Sequence, residues 1–295
     1  MPDIQLPPYH GSPVYPPRPA PDDLVVSQSV VYRVTPQRRL VMDIYWRNTD
    51  TPAPLMIWIH GGGFRQGTHN GSVPALHLLD RGYAVASITY RLSGEAIFPE
   101  PMKDVKAAVR WLRAHAHHYN FDPERFSAWG GSAGGYFAHM LALTGHTDVF
   151  DDGDHLDVSG AIQAACSWCG PTDLSRRMEF PPGVTPLHDY NAPESIISRF
   201  LGGMVKEIPE QARRSNPVTY VRSDVAPVLF LHGEVDNAVS VKQSQLLYEA
   251  MINAGATAEI ETFPTLTHTF YQNDEQYEYV LNRTADFLDA QLGNQ

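Results

Sequence analysis

The 295-residue chain predicts an α/β fold with a mostly parallel central sheet and helices on both faces, and three observations carry that expectation. From Leu55 onward, short apolar runs alternate with amphipathic segments. Glycine-rich turns follow directly on two of the apolar runs. One long segment, Met102 to His118, repeats its apolar residues at steps of three and four. Alternation of this kind is the pattern of strands that are buried by crossover helices.

The first 21 residues hold eight prolines, from Pro2 to Pro21. Proline removes amide donors and fixes φ, so helix and sheet are both disfavoured, and residues 1–27 are expected to form an extended arm ahead of a single domain over 28–295. Ser29 to Val34 and Leu40 to Trp46 read as two strands joined through Pro36-Gln37-Arg38, forming an antiparallel edge. The alternating region then gives strand Leu55 to His60, helix near Val73 to Asp80, strand Tyr83 to Thr89, helix Met102 to His118, strand Phe126 to Trp129 and a helix after Ser132. In the long helix, Val105, Ala108, Val109 and Leu112 form the stripe that packs on the sheet, while Lys103, Lys106, Arg110 and Arg113 fall on other faces. A strand Ala161 to Trp168 leads into an irregular stretch over about 170–224, with Pro181-Pro182-Gly183 and a short helix near Glu194 to Leu201. So long a connection predicts a small lid-like insertion or binding loop. Strand Val228 to His232, helix Val241 to Ala254, strand Ala258 to Phe263 and helix Glu275 to Leu292 complete the pattern.

Composition narrows the class. A net charge of −11, with no Lys/Arg run to offset it, repels phosphate backbones and argues against a nucleic-acid partner. No apolar stretch is long enough to span a membrane, and the N-terminus lacks a basic segment followed by an apolar core. The expectation is a soluble, cytoplasmic chain without a membrane partner. Cys166 and Cys169 lie in a strand-like run without a second pair to complete a zinc site, and read as buried structural thiols. The acidic run Asp148, Asp151, Asp152, Asp154 and Asp157 fails calcium-loop spacing and reads as a solvated loop. His115, His117 and His118 sit at a helix end, where positive charge suits the dipole.

Four motifs carry chemistry. Gly130-Gly131-Ser132-Ala133-Gly134-Gly135 after a strand reads as a nucleophile elbow, in which a sharp turn holds the serine hydroxyl out at the end of the sheet. His60-Gly61-Gly62-Gly63 allows backbone N–H groups to converge on one point, as a tetrahedral oxyanion requires. Leu231-His232-Gly233-Glu234-Val235-Asp236 places an acid after another strand. Thr265-Leu266-Thr267-His268 places an imidazole after the last one. Serine, acid and base therefore occur in the order Ser, Asp, His, each following a strand.

With these residues the chain resembles an α/β-hydrolase of the carboxylesterase type, within the hormone-sensitive-lipase-like superfamily. It is most similar to the short-chain esterases of the acetyl-xylan and feruloyl esterase-like group. Further residues support the match: Tyr90-Arg91-Leu92-Ser93, Phe98-Pro99, Asp104, Asn120-Phe121-Asp122-Pro123-Glu124-Arg125, Gly170-Pro171-Thr172-Asp173-Leu174 and Ser215-Asn216-Pro217-Val218-Thr219-Tyr220. Gly131 stands where hormone-sensitive-lipase-like enzymes usually have aspartate, and the proline-rich arm replaces their helical N-terminal cap; both favour the second group. The resemblance implies catalytic Ser132, Asp236 and His268, an oxyanion hole from the amides of Gly62, Gly63 and Ala133, and no metal or cofactor. Glu234 is the weaker alternative for the acid, because the family pattern H-G-x-x-D ends at Asp236. Asp104 is expected to be structural, and Trp168 and Phe180 are candidates to line the substrate pocket. The implied activity is hydrolysis of short acyl or hydroxycinnamoyl esters, with a small-molecule ester, including carbohydrate esters, as partner. An amidase such as an arylformamidase uses the same triad, and a non-catalytic ligand-binding α/β-hydrolase shares the fold, although His268 argues against it. The arm has three options: packing over the pocket, exchange in a homodimer, or standing free.

Overall fold

A computed structural model describes residues 22–175, 179–190, 192–268, 270 and 274–293. The eight strands, β1 (Leu24–Val34), β2 (Arg39–Arg47), β3 (Ala53–Ile59), β4 (Ala84–Ile88), β5 (Phe121–Gly131), β6 (Ala164–Trp168), β7 (Val228–Gly233) and β8 (Ala258–Phe263), form one sheet in the order β1-β2-β4-β3-β5-β6-β7-β8. β1 and β2 pair antiparallel, as do β2 and β4; every other neighbouring pair is parallel. This is the α/β-hydrolase arrangement. The first strand begins at Leu24 rather than beyond residue 27, because Leu24 to Ser27 already pair with Arg47 to Ile44 on β2. The proline-rich segment before residue 22 lies outside the described residues.

The parallel strands bury both faces, and the pleat divides their side chains between two cores. Leu55, Ile57 and Ile59 of β3 join one cluster, with Met102 and Val105 of α1 (Glu100–Ala114), Phe137 and Leu141 of α2 (Ala133–Thr144) and Leu247 of α5 (Val241–Asn253). Met56 and Trp58 join the other, with Leu76 and Leu79 of a 3-10 helix over Pro74–Arg81 and Val280 and Leu288 of α6 (Asp274–Leu292). α2 is buried along its whole length, which places the segment after β5 at the centre of the molecule.

Lys106 and Arg110 depart from the sequence reading. Both are fully buried on α1, under the acidic turn that was expected to be solvated. Lys106 Nζ donates to the carbonyls of Thr147 and Val149 at 2.7 Å and ion-pairs with Asp151 at 2.8 Å. Arg110 reaches Asp151 Oδ1 at 2.5 Å and the carbonyl of Asp152 at 2.6 Å. Asp151 and the carbonyls of its turn thus cap two buried cations, whereas Asp148, Asp154 and Asp157 are exposed, as the solvated-loop reading expects. Asp104 is also buried, in a two-bond pairing with Arg91 at 2.7 and 2.8 Å that fixes the start of α1 to the segment after β4.

The stretch between β6 and β7 contains α3 (Ile196–Leu201), α4 (Pro209–Arg214) and a 3-10 turn over Pro217–Tyr220. Its two ends are tied together. Asn216 Nδ2 donates to Asp173 Oδ1 at 2.7 Å, the Leu174 amide donates to Asn216 Oδ1 at 2.7 Å, and the Tyr136 hydroxyl of α2 donates to the Ser215 carbonyl at 2.7 Å. The Gly170–Leu174 and Ser215–Tyr220 motifs are therefore the two feet of the insertion. Among the described residues, no helix is long and apolar enough to cross a membrane.

Candidate active site

Four turns that follow parallel strands meet at the same end of the sheet, where open α/β sheets place their ligand sites. The turn after β5 bends at Ser132, whose φ of 56° and ψ of −121° are strained for a residue with a side chain. Tight packing holds that conformation. A Cβ on Gly134 would lie 1.9 Å from the Ile59 carbonyl oxygen, so only glycine lets α2 start this close to β3. The Ser132 amide is tied to the Trp168 carbonyl at 2.7 Å. Ala133 opens α2, so its N–H is one of those a helix leaves without an internal partner.

The turn after β3 leans on the elbow: a Cβ on Gly61 would meet the Gly131 carbonyl at 2.8 Å. Gly62, at φ 114°, folds the loop so tightly that its carbonyl accepts from the Arg65 and Gln66 amides at 3.2 Å. Behind the loop, His60 stacks on Tyr90 at 4.4 Å between ring centroids, and the Tyr90 hydroxyl donates to the His60 carbonyl at 3.0 Å. Burial pushes the His60 imidazole down to about 4, which keeps it neutral. Its Nδ1 lies 2.8 Å from the Gly61 carbonyl and so carries the proton, while the buried Nε2 has no hydrogen-bond partner.

Asp236 and His268 follow the neighbouring strands β7 and β8, and Asp236 Oδ2 lies 2.7 Å from His268 Nδ1. The other carboxylate oxygen accepts the amides of Ala238 and Val239, each at 2.8 Å. Burial alone would push the Asp236 carboxyl up, but hydrogen bonds from His232 and His268 outweigh it and hold the group well below the usual carboxylate range.

Sequence reasoning left His232 without a role. Its Nε2 faces two acceptors, the Val239 carbonyl at 2.9 Å and Asp236 Oδ2 at 3.2 Å, so this nitrogen bears the hydrogen. Its Nδ1 lies 2.7 Å from Ser244 Oγ and accepts from that hydroxyl. His232 thus orients the same oxygen that meets His268. The signal was present in the first position of the H-G-x-x-D pattern, four residues ahead of the acid.

Cys169, His232 and Asp236 bring donor atoms within 4.8 Å of one another. The set does not suit a metal ion, because both nitrogens of His232 and both oxygens of Asp236 are engaged in protein hydrogen bonds. Burial also raises the Cys169 thiol and opposes the thiolate a metal would need. Cys166 is likewise free and buried.

Ser132, His268, Gly62, Gly63 and Ala133 all line one cavity of about 490 Å³. Trp58, Trp168 and Phe270 form its buried apolar wall, and Leu187, Ile196 and Ile197 reach it from the insertion. Trp168, proposed for the pocket from sequence, is there; its Nε1 donates to Thr284 Oγ1 at 3.0 Å, which fixes the ring. Phe180, proposed with it, is half-buried and does not line the cavity; the insertion reaches the cavity at Pro171 and again from Leu187. Glu234 is also away from the cavity and accepts from Thr262 Oγ1 at 2.7 Å.

Sheet order and site together define an α/β-hydrolase. Within that class the chain belongs to the BD-FAE family, whose profile matches residues 42–251. It is similar to esterase LipQ of Mycobacterium tuberculosis, 29% identical over 267 residues that cover 87% of this chain and 60% of that protein. The probable carboxylic ester hydrolase LipM of the same organism is 31% identical over 211 residues, 68% of this chain and 46% of LipM. The chain therefore spans about half to three-fifths of the length of these curated relatives. A truncated carbohydrate esterase from gut microbiota has a TM-score of 0.78 at 27% identity, covering 93% of this chain and 99% of that one.

Proposed function

We propose that the protein is a serine esterase that hydrolyses short-chain acyl or hydroxycinnamoyl esters, carbohydrate esters among them, through an acyl-enzyme. The observation that carries this reading is the 2.7 Å Asp236–His268 hydrogen bond opening onto the cavity that Ser132 lines. Ser132 Oγ attacks the ester carbonyl carbon and gives its proton to His268 Nε2. Asp236 holds the Nδ1–H tautomer and stabilises the imidazolium. The negative charge that develops on the carbonyl oxygen is received by the amides of Gly62, Gly63 and Ala133, each worth roughly 3 kcal/mol in the transition state. His268 then protonates the departing alkoxide. Water, activated by the same imidazole, cleaves the acyl-enzyme and frees Ser132.

The relatives' names support ester hydrolysis, and the name of the truncated carbohydrate esterase supports a sugar-linked ester. The cavity volume of about 490 Å³ suits a small ester. Ser132→Ala is expected to lower kcat/KM for p-nitrophenyl acetate by at least about 10³-fold. Unchanged hydrolysis by that variant would overturn the assignment. Across p-nitrophenyl esters of rising acyl length, activity is expected to peak among short chains; activity that still climbs past about eight carbons contradicts the short-acyl reading, since each buried methylene adds only about 0.8 kcal/mol and needs room.

A further inference from the structure

The cavity wall carries a charge that the proposed chemistry does not use. Arg65 follows the glycine turn directly, and its amide donates to the Gly62 carbonyl at 3.2 Å, so its backbone is fixed to the loop assigned to the oxyanion. Arg65 is exposed and is one of the residues that line the cavity, and among the described residues its guanidinium has no ion-pair or hydrogen-bond partner. Arg39 and Arg214 are likewise exposed without a side-chain hydrogen bond or ion pair among the described residues, but neither lines the cavity, whereas Arg222 pairs with Asp224 and Arg213 with Glu210. The surroundings set Arg65 apart. Although the chain has a net charge of −11, no Asp or Glu is found among the described residues that line the cavity.

The position of Arg65 also indicates which half of an ester it meets. Trp58, Trp168 and Phe270 are nearly inaccessible and form the inner apolar wall, which suits a short acyl group. Arg65 is exposed at the outer wall, with the exposed His188 of the insertion also lining the cavity. An acyl group held inward directs the alcohol portion outward.

We propose that Arg65 is a specificity residue that binds a carboxylate on the alcohol portion of the substrate, so that anionic esters are preferred over neutral ones. The inference rests on the esterase reading above. A guanidinium offers a planar pair of N–H donors that matches both oxygens of a carboxylate, and the described residues that line the cavity supply no competing carboxylate.

The test compares 3-acetoxybenzoate with phenyl acetate, which share the acetyl group and differ by one carboxylate. Wild-type protein at low salt is expected to favour 3-acetoxybenzoate in kcat/KM by about fivefold, the value of a solvent-exposed ion pair of about 1 kcal/mol. That ratio should fall to about one in Arg65→Gln, be partly kept in Arg65→Lys, and shrink in wild type as salt screens the pair. Equal kcat/KM for the two esters in wild type, or a preference that Arg65→Gln retains, overturns the proposal. The salt series needs no variant, so it decides the matter even if Arg65→Gln fails to fold. Calorimetric titration of Ser132→Ala with both esters reads the same preference without turnover. Failure of the esterase reading looks different: phenyl acetate hydrolysis that survives Ser132→Ala.

Discussion

In the turn over residues 148–154, buried or half-buried charges meet partners. Asp151 holds Lys106 and Arg110 together, Asp152 pairs with Arg33 at 2.6 Å, and three carbonyls saturate the Lys106 ammonium. At the cavity, polar groups are left with capacity to spare. Ser132 sits at a strained φ, His60 Nε2 is buried without a partner, and Arg65 stands unpaired at the wall. The first region uses charge to hold α1 and its covering turn in one arrangement. The second keeps unmet potential and strain at one end of the sheet, where packing around α2 is tight enough to sustain them.

The largest expected effect that would break this contrast lies at Asp236. In Asp236→Asn the remaining oxygen can still accept the Ala238 and Val239 amides, so the turn survives. The new NH₂ group would face His268 Nδ1 and the His232 Nε2–H, and the imidazole would be driven to the wrong tautomer. A fall in kcat on the order of 10⁴ is expected from steady-state kinetics, with a much smaller loss of stability from the buried donor facing the His232 Nε2–H. A loss of folding with no specific loss of kcat would mean that Asp236 belongs with the structural charges instead.

Asp151→Asn tests the other region. Removing the one carboxylate shared by two buried cations should cost about 3 kcal/mol in urea denaturation. Adding Lys106→Met to that variant should recover part of the loss, because the uncompensated ammonium is then gone. A change below about 0.5 kcal/mol would place this pair among ordinary surface ion pairs.

Much of the architecture was legible from sequence, and the reasons are specific. The run Leu55 to Ile59 is apolar throughout because β3 faces both cores, and the glycines around Ser132 and after His60 are required by close backbone approach. Lys106 and Arg110 misled because a helix-face pattern gives the direction of a side chain but not what covers it. The covering turn lies about 40 residues further along the chain. Phe180 was placed too near the cavity because nothing local indicates where a long insertion turns inward. His232 was overlooked because a histidine inside a strand end has no pattern of its own until the carboxylate four residues later folds back onto it.

Acid probes the buried imidazoles at the cavity and on α2. Burial holds His60 down to about 4 and His139 to about 3, against an ordinary value of 6.5. Between pH 6.5 and 4 the unfolded chain therefore takes up protons that the fold refuses. Stability from these groups is full above pH 6.5 and is lost as pH falls, at about 1.4 kcal/mol per pH unit for each histidine. Urea denaturation at pH 6, 5 and 4 should show that slope, and His139→Gln should remove about half of it. An unchanged slope would show that these buried imidazoles are not what acid attacks.

The central claim is that Ser132 carries the acyl group. Protein mixed with p-nitrophenyl acetate, quenched in acid and digested, should show one added acetyl group by mass spectrometry on the peptide containing Ser132, and none in Ser132→Ala. Acetyl found on another residue of an active preparation, or turnover that continues in Ser132→Ala, would contradict the account.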